Sequence, residues 1–283
     1  MMILGQISYT VPDTVDEALA ELAKDQNSMP IAGGNGLLTL LKRGELTTPR
    51  LVDIGRIAEL RGVRVVEEEG RLRIGALTTL TDLCIEPVVR TAHMPGVLTD
   101  AVDVIGDVQC RNRATVGGTV ASAHPGSDLS AALLALDATV CLAGQHGRRV
   151  VPAAELFASS GPDQGELIIW VEIGPASPGS AYAKFTDRAN LQALVGVAVA
   201  VTLSADNKIA KASVAITGAL EVPTRLAELE QSLIGASLPV TIEVATDLPY
   251  VSSAASGPEY RAHMATVLAQ RAFDSAVQRA QNA

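Results

Sequence analysis

The chain has 283 residues and a formal net charge of −9, from 22 lysines and arginines against 31 aspartates and glutamates. About two domains fit this length, and a composition of 48% hydrophobic and 19% charged residues excludes a largely disordered protein. The acidic balance argues against nucleic acid or an anionic membrane as partner, and the three cysteines match no zinc or cluster spacing.

The first part of the chain predicts alternating strands and helices. Residues 7–11 alternate as a strand does, and Thr14-Val-Asp-Glu17 has the capping-box pattern of a helix start. A strand at Met29 leads into Ala32-Gly-Gly-Asn-Gly36 and then into a periodic helix that Gly44 ends. Further strands are predicted at Leu51–Ile54 and Leu72–Ile74, and helices around Thr81–Cys84 and Val97–Ile105.

A segment rich in glycine, serine and proline, residues 106–128, comes next. Its composition predicts an ordered loop, and long ordered loops in compact domains tend to be functional. It contains a second glycine pair in Thr115-Val-Gly-Gly-Thr119, and Ser127 or Asp128 can cap the following helix. Strands are predicted beyond that helix at Thr139–Leu142, Arg148–Val151 and Leu167–Ile173.

The C-terminal part begins after a segment of glycine, proline and serine, residues 174–180. We place the domain boundary there, which gives domains of residues 1–175 and 176–283. Three strands at residues 182–185, 194–203 and 210–216 fit an antiparallel meander. Ser256-Gly-Pro-Glu259 then predicts the capped start of a last helix.

The two glycine turns are the candidate binding elements. A glycine turn leading into a helix places free backbone N–H groups at the positive end of the helix dipole, which suits a phosphate. Neither turn has the spacing of a named nucleotide motif, so a plain strand-to-helix turn is an equal alternative for residues 32–36. Two turns suit a diphosphate, with Thr115 and Thr119 as donors. Asp128 would accept from a sugar or adenine, or serve only as a helix cap.

Side chains for catalysis or metal binding are scattered along the sequence. Neither a cysteine–histidine cluster nor a serine nucleophile elbow is present, and the four histidines nominate no triad. His124 is near the suspected ligand contacts and is interpreted as a loop residue. We therefore predict no catalytic and no metal-binding residue, and any enzymatic chemistry would come from a cofactor.

The sequence also predicts a cytoplasmic protein that does not enter a membrane. Its start lacks a basic region followed by a long apolar run, and the longest apolar run, residues 194–203, is half the span of a bilayer.

Seven short elements, in the same order, resemble those of the FAD-binding medium subunit of the molybdenum hydroxylases, the family of carbon monoxide dehydrogenase and xanthine dehydrogenase. Each is weak alone, but the series covers nearly the whole chain and is specific. The elements are Ala32–Leu38, Leu51–Ile54, Leu72–Thr79, Gln109–Gly118, Pro125–Asp128, Ala183–Phe185 with Leu194–Val197, and Gly257–Arg261.

The resemblance implies an α+β fold of the vanillyl-alcohol-oxidase or PCMH-like FAD-binding type. Two α+β subdomains, of about residues 1–59 and 60–175, would be followed by a three-stranded antiparallel sheet with helices. FAD would lie between the subdomains, with Ile168 lining the pocket and Lys184 approaching the flavin ring. The implied FAD-binding residues are Ala32, Gly33, Gly34, Asn35, Gly36, Leu37, Ala76, Thr115, Gly117, Gly118, Thr119, Asp128, Ile168 and Lys184.

The implied function is electron transfer within an oxidoreductase complex. A small partner subunit with two iron–sulfur clusters would deliver electrons, a large molybdopterin subunit would oxidise the substrate, and the FAD of this chain would pass electrons to an external acceptor. The assembly would be a dimer of heterotrimers. A stand-alone flavin oxidoreductase and a scaffold subunit without FAD are the alternatives.

Three positions depart from the family pattern and motivate the scaffold alternative. Gly36 stands where relatives often have serine, and Leu191 and Gln192 stand where they often have an aspartate and an aromatic residue. The sequence further predicts that a β-branched residue at Gly33 or Gly117 removes FAD and leaves folding largely intact.

Overall fold

Three β-sheets, each with helices packed on it, organise the part of the chain that the structure, a computed structural model, describes. That part consists of residues 7–48, 50–66, 70–87, 96–174, 179–187 and 192–283. Within it, no helix combines the length and the apolar character needed to cross a membrane.

The first sheet is small and parallel, with strand order β1-β3-β2. The helix after β1 begins as predicted, because Thr14 Oγ1 accepts a hydrogen bond from the Glu17 N–H at 3.2 Å. The Glu17 carboxylate in turn accepts from the Asp13 N–H at 2.9 Å. The elements are β1 (Ser8–Thr10), α1 (Val15–Leu22), β2 (Ser28–Ile31), α2 (Asn35–Arg43) and β3 (Arg50–Asp53).

The second sheet has five antiparallel strands in the order β4-β5-β8-β6-β7. One face contributes Ile74 and Val140 to the main core, and the opposite face packs Leu167 and Ile169 against Val52 of the first sheet. This second contact joins the first two sheets. The strands are β4 (Val63–Val66), β5 (Arg71–Gly75), β6 (Thr139–Gly144), β7 (Gly147–Pro152) and β8 (Leu167–Ile173).

Short helices surround this sheet, and two of them lie where the sequence predicts only a loop. Residues 106–128 contain α5 and α6, because Asp107 and Thr115 accept hydrogen bonds from the N–H groups of Cys110 and Gly118 and so cap these helices. The helices are α3 (Leu80–Ile85), α4 (Gly96–Asp103), α5 (Val108–Arg111), α6 (Val116–Ser122), α7 (Asp128–Ala135) and α8 (Ala153–Ala158), and Ala58–Leu60 forms one 3₁₀ turn.

The third sheet is antiparallel, in the order β12-β11-β10-β9, and α10 packs on it. The three predicted strands are present, but a fourth, two-residue strand joins the edge. The predicted capping box at Ser256 is wrong, because Gly257 is the N-cap and Pro258 begins the helix. The elements are β9 (Gly179–Phe185), β10 (Val195–Leu203), β11 (Ile209–Thr217), β12 (Thr224–Arg225), α9 (Ala227–Leu233) and α10 (Pro258–Gln281).

Candidate functional site

A cleft of about 970 Å³ lies between the first sheet, residues 105–128 and the loop before β8. This volume is near the upper end of the usual range for ligand pockets, about 300–1,000 Å³. Two glycine turns that are far apart in the chain therefore line one cavity. The predicted residues that line it are Ala32, Gly33, Gly34, Asn35, Gly36, Leu37, Ala76, Thr115, Gly117, Gly118, Thr119, Asp128 and Ile168.

The first glycine turn presents the uncapped start of α2 to the cleft. Gly34 is the N-cap, adopts φ +82°, and provides no side-chain cap. The first turn of a helix lacks intrahelical acceptors for its N–H groups, and the Leu38 N–H is the one that bonds back to Gly34 O, at 3.0 Å. The Asn35 side chain does not cap the helix, and its Nδ2 donates to Cys110 O at 3.1 Å. The N–H groups of residues 35–37 thus offer an anion site at the positive helix end.

The second glycine turn is different, because its backbone donors are used within the protein. The first three N–H groups of α6 donate to Thr78 O, Ala76 O and Thr115 Oγ1, at 2.9, 2.8 and 3.1 Å. The Thr119 hydroxyl donates to Thr115 O at 2.9 Å. The backbone of this turn therefore has fewer donors to offer a phosphate than the first turn has. This turn supplies a close-packed wall of small residues rather than free backbone donors.

Glycine is required at positions 33 and 117 because neighbouring segments of the main chain pack closely there. A Cβ atom on Gly33 would lie 1.8 Å from Arg113 O, and one on Gly117 would lie 2.6 Å from the Cβ of Ala76. The first neighbour is a main-chain atom, and the second is the Cβ atom of an alanine, so neither can rotate out of the way. The prediction that β-branched residues there leave folding intact is therefore wrong.

We expect Gly33→Val to lower the free energy of unfolding by about 3 kcal/mol or more, since overpacking of this severity forces the backbone to move. Urea denaturation of the FAD-free protein measures the effect. Gly36→Val is the matched control, because a Cβ atom on Gly36 has no atom of the described part of the chain within 4 Å. Equal stability of the two variants would contradict the close approach of residues 33 and 113.

A buried ion pair lies behind one wall of the cleft. Asp128 is 4% exposed and begins α7, while the cap of this helix is Ser127. Its Oδ1 accepts from the Tyr182 hydroxyl at 2.6 Å, and its Oδ2 accepts from Lys184 Nζ at 2.9 Å. Lys184 also donates to Val104 O at 3.1 Å. Lys184 is not among the residues that line the cleft, but its ammonium pairs with Asp128, which does line it.

Burial decides the protonation of the groups in this wall. It raises the pKa of Asp128, against the opposing effects of the Lys184 charge and of the Tyr182 and Lys184 hydrogen bonds. Burial, with the Asp128 charge and hydrogen bond, raises the pKa of the Tyr182 phenol well above its usual value. Burial lowers the pKa of His124, whose Nδ1 accepts from the Gly126 N–H at 3.0 Å. Near neutral pH this imidazole is therefore uncharged.

Several lining residues were not predicted from the sequence. Ser28 in β2 is buried, and its Oγ has no hydrogen-bond partner within the described part of the chain. The loop of residues 162–166 also lines the cleft, held from outside by Arg149, whose Nε and Nη2 donate to the two Glu166 carboxylate oxygens at 2.7 and 2.8 Å. No local pattern in the sequence indicates either contact.

The departures from the family pattern fall in different places. Gly36 and Gln192 line the cleft, whereas Leu191 lies outside the described residues. His124, interpreted as a loop residue, also lines it. In the described ranges, no three side chains of histidine, cysteine, aspartate or glutamate come together as metal ligands would.

Two family models match the chain, and together they cover most of it. Residues 5–176 match the FAD binding domain in molybdopterin dehydrogenase. Residues 180–276 match the CO dehydrogenase flavoprotein C-terminal domain.

Individual proteins are similar over nearly their whole length. The glyceraldehyde dehydrogenase medium chain of Sulfolobus acidocaldarius is 32% identical over 95% of this chain and 97% of its own. The carbon monoxide dehydrogenase medium chain of Afipia carboxidovorans is 32% identical over 99% and 100%. A solved carbon monoxide dehydrogenase from Hydrogenophaga pseudoflava, which lacks the Mo-pyranopterin moiety, superposes with a TM-score of 0.92 at 30% identity, over 98% of this chain and 99% of that chain. This superposition confirms the predicted fold.

Proposed function

Because the chain belongs to the family of FAD-binding domains of the molybdopterin dehydrogenases, we propose that it is the electron-transferring medium subunit of a molybdenum hydroxylase complex. It is an oxidoreductase subunit, and its cofactor is FAD. FAD supplies a carrier that accepts two electrons and can exchange them singly. In the proposed complex, electrons arrive from iron–sulfur clusters of a small subunit and leave to an external acceptor. A large molybdopterin subunit oxidises the substrate.

The observation that carries this proposal is the meeting of the two glycine turns in one cleft of about 970 Å³. The free N–H groups of residues 35–37 would hold the diphosphate, because they lie at the positive end of α2. Ala76, Gly117 and Gly118 would form the close-packed wall beside it, with the Thr115 and Thr119 hydroxyls at its edge. Residues with no Cβ or a small one allow a flat ring system to approach the backbone.

The other predicted contacts divide into direct and indirect ones. Ile168 lines the cleft at the start of β8 and would contact FAD directly. Asp128 would accept from a ribose hydroxyl with a lone pair left over from its two bonds within the protein. Lys184 would act by fixing the charge and position of Asp128. The Ser28 hydroxyl, which has no hydrogen-bond partner among the described residues, is a further candidate donor.

We also propose the larger organisation. The domains are residues 1–175, with subdomains of about 1–59 and 60–175, and residues 176–283. The chain would work in the cytoplasm in a dimer of heterotrimers with the small iron–sulfur and large molybdopterin subunits. The names of its relatives as medium chains and medium subunits support assembly with other subunits.

Isolation of the native complex through a tag on this chain tests the proposal. We expect flavin absorption bands, molybdenum and iron in the purified material, and two further polypeptides. Flavin without molybdenum or partners would favour the stand-alone oxidoreductase. A folded chain that carries partners but no flavin would favour the scaffold.

A hydroxyl added at position 36, in the first turn of α2, should strengthen FAD binding. We expect Gly36→Ser to lower the dissociation constant for FAD by about tenfold, because a hydrogen bond to a charged group is worth about 1.5–3 kcal/mol. Fluorescence titration of FAD-free protein measures it, with Gly36→Ala as the control for the added Cβ. Equal affinity of the serine and alanine variants would show that the hydroxyl does not reach a phosphate.

A further inference from the structure

The motif Gly257-Pro-Glu-Tyr-Arg261 carries a buried charge that the proposed function leaves unused. Arg261, in the first turn of α10, is 4% exposed. Its Nη1 donates to the main-chain oxygens of Leu194, at 2.9 Å, and Gly218, and its Nη2 donates to Ser253 Oγ at 2.7 Å. Among the described residues it makes no salt bridge, and burial lowers its pKa. Burying a charge is costly unless it is hydrogen-bonded, and here the hydrogen bonds go to the segments of Leu194, Gly218 and Ser253.

The segments around Leu194 and Gly218 form hydrogen bonds with the residues that precede Asp128. The Gly218 N–H donates to Pro125 O at 2.7 Å, and the Ala193 N–H donates to Gly126 O at 3.2 Å. The Thr217 hydroxyl donates to the same Pro125 oxygen, at 2.5 Å. Three hydrogen bonds thus connect the two segments that Arg261 binds with residues 125–126.

The main-chain segments around these bonds are closely packed. A Cβ atom on Gly126 would lie 2.8 Å from Ala193 O, and one on Gly218 would lie 2.3 Å from the same oxygen. Gly218 also has φ +76°, which glycine adopts readily. A shift of the 192–194 segment would therefore be passed on to Gly126.

The residues held by these hydrogen bonds belong to the wall of the cleft. Gly126 and Asp128 line it, together with Gln192 from the other segment and His124, which bonds to the Gly126 N–H. The path from Arg261 to the cleft thus consists of two main-chain hydrogen bonds and the hydrogen bond of the Thr217 hydroxyl. It runs from the C-terminal helix to the wall that carries Asp128.

We propose that Arg261 is a positioning residue of the cleft, which holds Leu194 and Gly218 and through them residues 124–128 in the geometry that the ligand requires. The C-terminal helix then contributes to cofactor binding without touching the cofactor. The identity of the ligand as FAD rests on the proposed function, but the positioning role itself does not.

Four variants separate positioning from general stability. Arg261→Met removes the guanidinium, Arg261→Lys keeps the charge without the fork, and Thr217→Val removes one hydroxyl further along the path. Arg225→Lys is the matched control. Like Arg261, Arg225 donates to a main-chain oxygen, that of Leu134, and its guanidinium also donates twice to the Glu230 carboxylate. Leu134 and Glu230 are not among the residues that line the cleft.

Two measurements are made on each variant: amide hydrogen exchange of Ala193 and Gly218 in FAD-free protein, and FAD affinity by titration. Arg261→Met and Thr217→Val should each raise exchange at both amides and the FAD dissociation constant by about tenfold, the equivalent of one lost hydrogen bond. Arg261→Lys should fall between them and wild type. Arg225→Lys should lower the melting temperature and change neither quantity.

The proposal is overturned if exchange and FAD affinity stay within about twofold of wild type in Arg261→Lys and Thr217→Val, the variants that keep the fold most closely. It is also overturned if Arg225→Lys raises both quantities as much as Arg261→Met, because general loosening would then explain the effect. If the wild-type chain binds no FAD, the proposed function fails, while the exchange rates still decide whether Arg261 positions residues 125–126.

Discussion

Gly36→Leu should remove FAD from the protein while its free energy of unfolding stays within about 1 kcal/mol of wild type. Gly36 lies in the first turn of α2, lines the cleft, and has open space where a Cβ atom would be. Leucine is a better helix former than glycine, so folding does not suffer. The new side chain instead fills the space in front of the free N–H groups.

We expect the FAD dissociation constant of this variant to rise by about 100-fold or more, which corresponds to about 2.7 kcal/mol. Flavin absorbance of the purified protein and titration of the FAD-free form measure it. Gly174→Leu is the matched control, since a Cβ atom on Gly174 also has no atom of the described residues within 4 Å, and Gly174 does not line the cleft. Unchanged FAD content in Gly36→Leu would exclude the start of α2 as the diphosphate site.

Lys184→Met should destabilise the folded protein by about 3–5 kcal/mol near neutral pH, because it leaves the buried Asp128 carboxylate without its cation. Lys184 and Asp128 are both almost fully buried, with 6% and 4% of their side chains exposed. Among the described side chains, the Tyr182 hydroxyl would remain as a donor to Asp128. Chemical denaturation of FAD-free protein measures the loss.

The double variant Asp128→Asn with Lys184→Met removes both charges and is the control. It should recover most of the lost stability, because no uncompensated buried charge remains. A double variant as unstable as Lys184→Met would mean that packing, not charge, causes the loss.

The loss in Lys184→Met should also depend on pH. Burial raises the pKa of Asp128 in the folded protein, whereas the unfolded chain keeps the ordinary value of about 4. The folded state therefore binds the proton more tightly, and its stability falls as pH rises from about 4 through the raised pKa. Removing the Lys184 charge raises this pKa further. The deficit against wild type should be smallest near pH 4 and largest at neutral pH and above.

The alternating strands and helices were readable from the sequence because their signals are local. Thr14 directly precedes α1, and Gly44 directly follows α2. The apolar period of α2 lies within the helix itself. The loop prediction for residues 106–128 is wrong for two short stretches, because the Asp107 and Thr115 side chains cap helices within this glycine-rich segment. The two-residue strand β12 is too short to have an alternation.

The location of the cleft was predictable, but the role of each residue in it was not. The Ala76 and Thr78 carbonyls accept hydrogen bonds from N–H groups of α6, at 2.8 and 2.9 Å, but lie far away in the chain, so no sequence spacing reveals them. Lys184 is paired with a carboxylate 56 residues earlier. Contacts of this kind depend on tertiary packing, which a single sequence does not display.

A crystal structure of the protein with FAD is the most direct test. The free N–H groups of residues 35–37 should hold the diphosphate oxygens, with Ala76, Gly117 and Gly118 in contact beside them. A structure with FAD bound elsewhere, or with the diphosphate far from the start of α2, would contradict this assignment of the site.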